Sequence, residues 1–236
     1  MRDILKLLTL IIPTLIHGQL LFLKGDDYKS YVYNELYKYD KVYFYDSDIN
    51  KVPIEILKNK NIRSFEFYKC DKLDYSKLYN QLSLIDSVRV QFMSMNVELS
   101  KNIEKVNFME AGGYSFLFYE CNINKIKLKY FSNSKIKTLL FSNCNLSNND
   151  LLKIAQNKYF NSISIDQKEP YDISYLEYAQ NLKLISVSRD YIFNKKKFEN
   201  FEKLVYFTYY NPNIPTDSIK FVNSNVKISN LWTMFN

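Results

Sequence analysis

The side chains that most often carry catalysis are scarce in this chain of 236 residues. Its single histidine is His17, and its three cysteines are Cys70, Cys121 and Cys144. A histidine-assisted nucleophile and a histidine-based zinc site both need histidine within the folded domain, whereas His17 lies in the predicted signal peptide described below. No Cys-x-x-Cys pair is present either. The sequence therefore predicts no catalytic residue, no metal site and no cofactor, and it predicts a protein that is not an enzyme.

Two pairs of acidic residues are the remaining candidates for acid–base chemistry. They are Asp26 with Asp27 and Asp46 with Asp48. Glycosidases use two carboxyl groups that flank the scissile bond, so a paired-acid site is the form such chemistry would take. Acidic residues this close in sequence are more typical of solvated loops. A glycan-hydrolysing protein is therefore the third of the hypotheses that the sequence allows.

A strand-like pattern of apolar residues recurs at a nearly regular interval along the chain. The units that it defines must position any functional side chain. In residues 136–146 apolar residues fall at steps of three, two, three and two, and residues 62–70 show the same pattern. A regular period of this kind indicates a solenoid, in which each unit buries its apolar face against its neighbours. The position of Leu139 is predicted to be filled along the chain by Val42, Phe65, Val88, Val106, Phe116, Leu139, Ile163, Ile185, Leu204 and Ile219.

The spacing of that predicted series is uneven. By subtraction of residue numbers the gaps are 23, 23, 18, 10, 23, 24, 22, 19 and 15. Val106 and Phe116 are too close to belong to two complete units, and we interpret residues 110–114, which include two glycines, as a tight turn. The register is therefore weakest between residues 91 and 116.

Within each unit the chain must turn out of the strand while it stays buried. The three cysteines all lie at this place, three residues after the second apolar strand position. Cys121 and Cys144 would lie on adjacent strands about 5 Å apart, which allows a disulfide. We nevertheless expect buried free thiols.

After Cys144, Ser147 precedes helical spacing and is predicted to cap a short helix, whereas residues 50–60 and 167–180 contain prolines and are less helical.

These residues give the chain a resemblance to the leucine-rich repeat superfamily. The resemblance covers about Tyr39 to Val226, and its best unit is Ile136 to Phe160. It implies an α/β solenoid with a leucine-rich-repeat-like curved parallel β-sheet and short helical or irregular returns, in which the strands line a concave face. A parallel β solenoid whose units lack helices is the alternative fold.

The two ends of the chain carry separate predictions. Residues 1–18 resemble a secretory signal peptide, with Arg2 and Lys6 before an apolar run and Gly18 at the cleavage site. An uncleaved anchor is the alternative, because apolar residues continue through positions 20–23. Residues 19–236 are predicted to form one solenoid with an N-terminal cap at about 26–40 and a C-terminal cap at about 224–236. The predicted location is secreted or at the cell surface, without stable membrane insertion after cleavage.

Charge does not identify a partner. The formal net charge is +7, but the lysines are spread along the chain and the tight run is Lys195 to Lys197. A nucleic-acid footprint is usually a clustered basic patch, so no nucleic-acid partner is predicted.

The resemblance implies that outward strand residues form the recognition surface. The predicted partner-binding residues are Tyr43, Tyr45, Glu66, Tyr68, Arg89 and Tyr119. Tyrosine and arginine often anchor interfaces, although the 21 tyrosines of this chain make composition an equal explanation. The leading hypothesis is a secreted, non-enzymatic protein that recognises a protein partner, with a glycan as the other possible ligand. The alternative is a self-associating structural component of a cell wall or coat.

Overall fold

A computed structural model describes most of the chain after residue 18. It covers residues 19–109, 114–122, 128–167, 169–188, 191–192, 201–210, 213, 216, 219–221 and 224–230. The predicted signal peptide, the turn at 110–113, the lysine run at 195–197 and positions 231–236 of the predicted C-terminal cap lie outside the described residues.

A ten-stranded parallel β-sheet is the frame of the described molecule, and its strands lie side by side in chain order. The strands of this sheet are β1 (Gln19–Lys24), β2 (Tyr39–Tyr45), β3 (Ser64–Tyr68), β4 (Arg89–Met93), β5 (Phe116–Tyr119), β6 (Thr138–Ser142), β7 (Ser162–Asp166), β9 (Leu184–Ser188), β11 (Tyr206–Tyr210) and β12 (Lys227–Asn230). Two short strands, β8 (Tyr171–Asp172) and β10 (Tyr191–Ile192), pair with each other outside it. The expected α/β architecture with a parallel sheet is confirmed.

The register of the sheet is more regular than the predicted series. One row of paired positions crosses all ten strands, and its members are Leu21, Val42, Phe65, Val90, Phe116, Leu139, Ile163, Ile185, Phe207 and Ile228. By subtraction of residue numbers the gaps are 21, 23, 25, 26, 23, 24, 22, 22 and 21. The row places a similar length of chain between each pair of neighbouring strands.

Four members of the predicted series were therefore wrong. Val88 lies two positions before the true member of the row, and because both valines are buried, a period of two cannot tell them apart. Val106 is buried outside the sheet, and Phe108 next to it makes an isolated bridge to Val88. Leu204 and Ile219 are buried in the segments before β11 and β12, so burial alone mimicked a strand position.

A ladder of phenylalanines fills the core behind the first half of the sheet. Phe44, Phe67, Phe92, Phe118 and Phe141 are register partners on consecutive strands and are almost completely buried. Neighbouring rings stack, with centroids 5.0 to 6.1 Å apart. Such pairs contribute about 0.5–1.5 kcal/mol each beyond the burial of their area. The ladder therefore favours this register over a shifted one.

The strands leave the sheet through one repeated backbone turn. The residue after each of the first six strands has a positive φ, between 48° and 55°. These residues, here named the turn row, are Gly25, Asp46, Lys69, Ser94, Glu120 and Asn143. The N–H of each turn-row residue donates to the carbonyl at the end of the next strand, at 2.6 to 3.1 Å. The turn thus continues the hydrogen-bond ladder while it redirects the chain.

Short helices occupy several returns. The α-helices are α1 (Asp27–Ser30), α2 (Ile54–Lys58), α3 (Tyr75–Leu82) and α4 (Asn148–Ala155). The 3-10 helices are Tyr33–Lys38, Lys101–Lys105, Leu128–Tyr130 and Ile173–Tyr178. The predicted cap at Ser147 is confirmed: its side chain accepts from the amide of Asp150, and the Asp150 carboxylate accepts from the amide of Ser147. The return at 50–60 is more helical than predicted, because Pro53 precedes α2 instead of interrupting it.

The N-terminal region contains β1 and the return that follows it. The predicted N-terminal cap at about 26–40 contains α1 and the 3-10 helix Tyr33–Lys38, and it is the return between β1 and β2. Within it Leu36 is buried and Val32 is exposed. The edge strand of the sheet is β1, in which Leu21 and Leu23 are buried. At the other end β12 forms within the predicted C-terminal cap and pairs with β11.

Candidate binding surface on the open face of the sheet

One face of the sheet is buried and the other carries the candidate site. Strand side chains alternate between the two faces, as β2 shows with buried Val42 and Phe44 between partly exposed neighbours. We call the face opposite the core the open face. Its two principal rows pass through Tyr43 and through Tyr45.

Four aromatic side chains on the open face of β1, β2 and β3 form a contiguous group, here named the aromatic cluster: Phe22, Tyr43, Tyr45 and Tyr68. Tyr45 and Tyr68 stack with centroids 4.8 Å apart and planes inclined by 8°. Phe22 lies 5.7 Å from Tyr45, and Tyr43 meets Phe22 and Tyr45 edge-on at 5.4 and 6.0 Å. The sheet therefore gathers rings that belong to three separate repeat units of the sequence.

Phe22 was missed by the sequence analysis. Residues 20–23 are uniformly apolar, so no alternation marked a strand, and they served only as the reason for the alternative of an uncleaved anchor. In β1 the alternation exists only in space: Leu20 and Phe22 are 47% and 49% exposed, while Leu21 and Leu23 are buried. The spacing from Leu21 to Val42 is close to the first gaps of the predicted series, and it was the signal that could have revealed this strand.

The partly buried carboxylate of Glu66 lies beside the aromatic cluster. Glu66 pairs in register with Tyr43 on one side and with Gln91 on the other. Burial raises the pKa of Glu66 above its ordinary value, and the positive charges of Lys41 and Arg89 oppose the rise. Burial also raises the pKa of Tyr43, with the Glu66 charge as the next cause. Both groups are thus partly desolvated before any partner binds.

Arg89 lies in a different row from the one predicted. It pairs with Ser64, which pairs with Lys41, whereas Gln91 occupies the row of Tyr43 and Glu66. The error follows from the shift of two residues at Val88. Arg89 remains close enough to Glu66 for their charges to interact, and burial lowers the pKa of its guanidinium. It therefore belongs to the surroundings of the aromatic cluster, one row away from its predicted place.

Tyr119 stands apart from the other predicted site residues. It shares a row with Tyr45 and Tyr68, but Met93 lies between Tyr68 and Tyr119. Burial and a hydrogen bond to Glu120 raise the pKa of its hydroxyl. The structure thus brings five of the six predicted residues together and leaves Tyr119 at the margin.

The row of Tyr43 on the open face changes character after β6, where Leu140 is followed by Ser164. Toward β12 the row of Tyr43 continues through small hydroxyl residues, which are Ser164, Ser186, Thr208 and Ser229. This row is therefore bulky toward β1 and small toward β12, although β11 carries two large exposed side chains on the same face, Tyr206 and Tyr210.

The carboxylate pairs considered for hydrolysis lie on the exposed surface beside lysines. Asp26 contacts Lys29 at 2.8 Å, and Asp48 contacts Lys72 at 2.6 Å. Within the described ranges, no group of three or more His, Cys, Asp or Glu side chains is placed to hold a metal ion. In the same part of the chain, none of the helices has the length and apolar character that a bilayer crossing needs.

A separate cavity of about 340 Å³ opens where β2 and β3 begin, away from the aromatic cluster. Its lining consists of Tyr37, Lys38, Tyr39, Asp40, Lys60, Asn61 and Arg63. Lys38 already pairs with Glu35 at 2.7 Å. The cavity is wide open to solvent and polar, so it has neither the enclosure nor the apolar walls that are usual for a small-molecule site.

Comparisons with protein-family models, with curated proteins and with solved structures each return no match to this chain.

Proposed function

We propose that this protein is a secreted, non-enzymatic binding protein that recognises a protein partner through the open face of a leucine-rich-repeat-like solenoid. The aromatic cluster, Phe22, Tyr43, Tyr45 and Tyr68, is the observation that carries the proposal. Phe22 is about half exposed and the three tyrosines are partly exposed, and large apolar patches that remain accessible commonly mark interaction sites. Glu66, Arg89 and Tyr119 supply polar contacts around it.

The solenoid part of the proposal is supported by the regular path of the chain. Neighbouring strands follow one another in sequence, and the row through Val42 repeats at nearly even intervals. Leucine-rich repeats have lengths of roughly 20–29 residues, and every gap in the row falls within that range. Helices α2, α3 and α4 favour this class over a parallel β solenoid whose units lack helices.

Ring packing favours a protein over a glycan as the ligand. Sugars stack on open aromatic faces, whereas Tyr45 and Tyr68 stack on each other and Phe22 lies 5.7 Å from Tyr45 at a tilt of 33°. The faces that Tyr45 and Tyr68 turn toward each other are therefore closed to a sugar. Rings fixed by their neighbours lose little conformational freedom on binding, which is a favourable property in a protein interface.

Secretion is supported by the position of β1. Residues 20–23 belong to that strand, and two of them, Leu21 and Leu23, are buried in the core. They are therefore not available to lengthen an N-terminal membrane anchor. A span needs about 20 apolar residues, so cleavage after Gly18 is favoured over an uncleaved anchor.

Quantitative capture of partners tests the proposal. The purified protein, a Tyr45→Ala/Tyr68→Ala variant and a Tyr37→Ala/Tyr178→Ala control are used as baits on extracts and compared by mass spectrometry. Tyr37 and Tyr178 are about two-thirds exposed and lie in the returns, so the control removes the same atoms elsewhere. We expect a partner that the parent and the control retain and the cluster variant loses. Equal capture by all three baits would refute recognition by the open face.

The structural alternative has an observation of its own. In the described chain β1 pairs only with β2, so one of its edges offers free backbone groups, and Leu20 and Phe22 are exposed beside it. Such an edge is a template for pairing with a second copy. Sedimentation of the parent beside Leu20→Lys distinguishes the two proposals. Concentration-dependent assembly that this substitution abolishes favours the self-associating component.

A further inference from the structure

Cysteines at the equivalent turn of neighbouring strands form a pair that the proposed function does not use. Five buried residues occupy this turn position on β2 to β6, and they are Ser47, Cys70, Met95, Cys121 and Cys144. Met95 separates Cys70 from the other two, whereas Cys121 and Cys144 follow directly one after the other. All three cysteines are free thiols in this structure.

The two adjacent cysteines are in contact. Tyr119 and Ser142, two residues before them, are register partners, and the amide of Cys121 donates to Sγ of Cys144 at 3.3 Å. Neighbouring strands lie about 4.8 Å apart, which falls within the Cα separation of about 4.4–6.8 Å that disulfides span. The two side chains are therefore close enough for a disulfide to be considered.

We propose, in place of the free thiols expected from the sequence, that Cys121 and Cys144 form a disulfide in an oxidising compartment, while Cys70 remains a thiol. The oxidant is a small or protein disulfide, such as oxidised glutathione. Because both sulfur atoms are buried, the exchange takes place during folding or through local opening of the turn. Secretion enters the argument only as the source of the oxidant, so the proposal stands independently of the open face.

The cysteine sulfur atoms differ in how readily they form the thiolate that starts the exchange. Interaction with the Cys121 side chain and a hydrogen bond from the Cys121 amide lower the pKa of Cys144. Interaction with Cys144 and burial raise the pKa of Cys121, whose thiol also donates to the carbonyls of Phe92 and Tyr119. Burial raises the pKa of Cys70 to about 11, which makes it a poor nucleophile. Cys144 is therefore the first thiolate to form.

The exchange balances in two steps. The Cys144 thiolate attacks one sulfur of oxidised glutathione, the glutathione S–S bond breaks, and one glutathione thiolate leaves and takes up a proton. Cys121 then gives up its proton, attacks the Cys144 sulfur and displaces the second glutathione. Two protein thiols are oxidised to one disulfide, and one glutathione disulfide is reduced to two thiols.

Thiol counting after refolding tests the proposal. The full chain is unfolded, refolded to equilibrium in a mixture of oxidised and reduced glutathione, quenched with acid, denatured and treated with a maleimide. We expect one adduct per chain, at Cys70, and three adducts after prior reduction with a phosphine. Trypsin cleaves between the two cysteines at Lys125, Lys127, Lys129, Lys135 and Lys137, so the linked peptides identify the bond directly. Three adducts without reduction, or a bond to Cys70, would overturn the proposal.

Two substitutions provide matched controls. Cys70→Ser should give no adduct after oxidation, and Cys144→Ser should give no intramolecular disulfide. A disulfide compatible with the native fold closes the loop between the two strands and should raise the thermal midpoint of the oxidised protein by roughly 5 °C or more. An oxidised protein that unfolds at or below the midpoint of the reduced one contradicts a native Cys121–Cys144 bond.

Discussion

On the open face, burial affects the pKa of a side chain at least as strongly as neighbouring charges do. Glu66 has a raised pKa although Lys41 and Arg89 both favour its ionised form, so desolvation is the larger effect. Partly buried ion pairs often behave in this way, because removing the charges from water costs about as much as their attraction returns. The carboxylate is thus retained at the aromatic cluster at a cost to stability.

Substitution of Glu66 by glutamine tests that statement. A carboxyl group whose pKa is higher in the folded than in the unfolded state destabilises the fold above the folded pKa. The fold regains this stability as the pH falls through that value toward the ordinary 4.5. We expect Glu66→Gln to raise the urea midpoint at pH 7, and we expect the difference from the parent to shrink toward pH 4.5. A variant that is less stable at pH 7 would show that the attraction of Lys41 and Arg89 outweighs burial.

At the scale of the element, each repeat unit depends on its turn and on its helix cap. The turn row uses a left-handed backbone at Asp46, Lys69, Ser94, Glu120 and Asn143, although this conformation is easiest for glycine and tolerable for asparagine. Only Gly25 has the residue that the geometry favours. The sequence therefore could not reveal the turn row from its glycines.

Substitution of Gly25 measures the free energy cost of the left-handed backbone conformation in the turn. Its φ is 55°, and a methyl group added there would meet no atom within 4 Å, so Gly25→Ala tests conformation without a clash. We expect a loss of about 1–2 kcal/mol in the free energy of unfolding, and a smaller loss for Gly25→Asn. Urea unfolding of both variants measures the difference. Equal stability of the alanine variant and the parent would contradict a left-handed turn at this position.

Ser147 tests the cap of α4. Its hydroxyl accepts from the Asp150 amide, and it also lies 2.6 Å from the Asp150 carboxylate. Ser147→Ala should lower the free energy of unfolding by about 1 kcal/mol, because amide groups at the helix start lose their partner. Asn149→Ala, an exposed change in the same helix, is the control and should leave stability nearly unchanged. A similar loss in both variants would refute a specific role for the capping box.

The elements themselves show how far sequence reasoning reaches. The cap at Ser147 and the cores of β2, β3 and β6 were predictable because short-range spacing defines them. The position of β4 was not, since Val88 and Val90 are both buried and fit the same alternation. The segment that contains Phe108 gave the predicted series an extra apolar position. Only the three-dimensional pairing explains it, because Phe108 bridges to Val88 beside the sheet.

At the scale of the whole molecule, the principal addition to the prediction is that residues 19–24 form a strand of the sheet, β1. The aromatic cluster is incomplete without Phe22, and the core is incomplete without Leu21 and Leu23. The sequence could indicate Tyr43, Tyr45 and Tyr68 as surface residues through the strand period. It could not show that their rings share faces with one another, because that depends on the register between strands and on side-chain rotation.

Leu23 and Leu20 test the place of β1 in the fold. Leu23 is buried and Leu20 is about half exposed in the same strand. Leu23→Ala should lower the free energy of unfolding by about 2–5 kcal/mol, as removal of buried leucine atoms leaves a cavity. Leu20→Ala should cost far less. If both substitutions leave the urea midpoint unchanged, residues 19–24 do not form part of the folded core.

The affinity of a captured partner is the measurement that tests the central claim most directly. Calorimetric titration compares the parent, the Tyr45→Ala/Tyr68→Ala variant and the Tyr37→Ala/Tyr178→Ala control, each confirmed to be folded by circular dichroism. Truncation of hot-spot residues costs at least about 2 kcal/mol, so we predict a loss of at least about 30-fold for the cluster variant alone. An unchanged dissociation constant in the cluster variant would contradict recognition through the aromatic cluster.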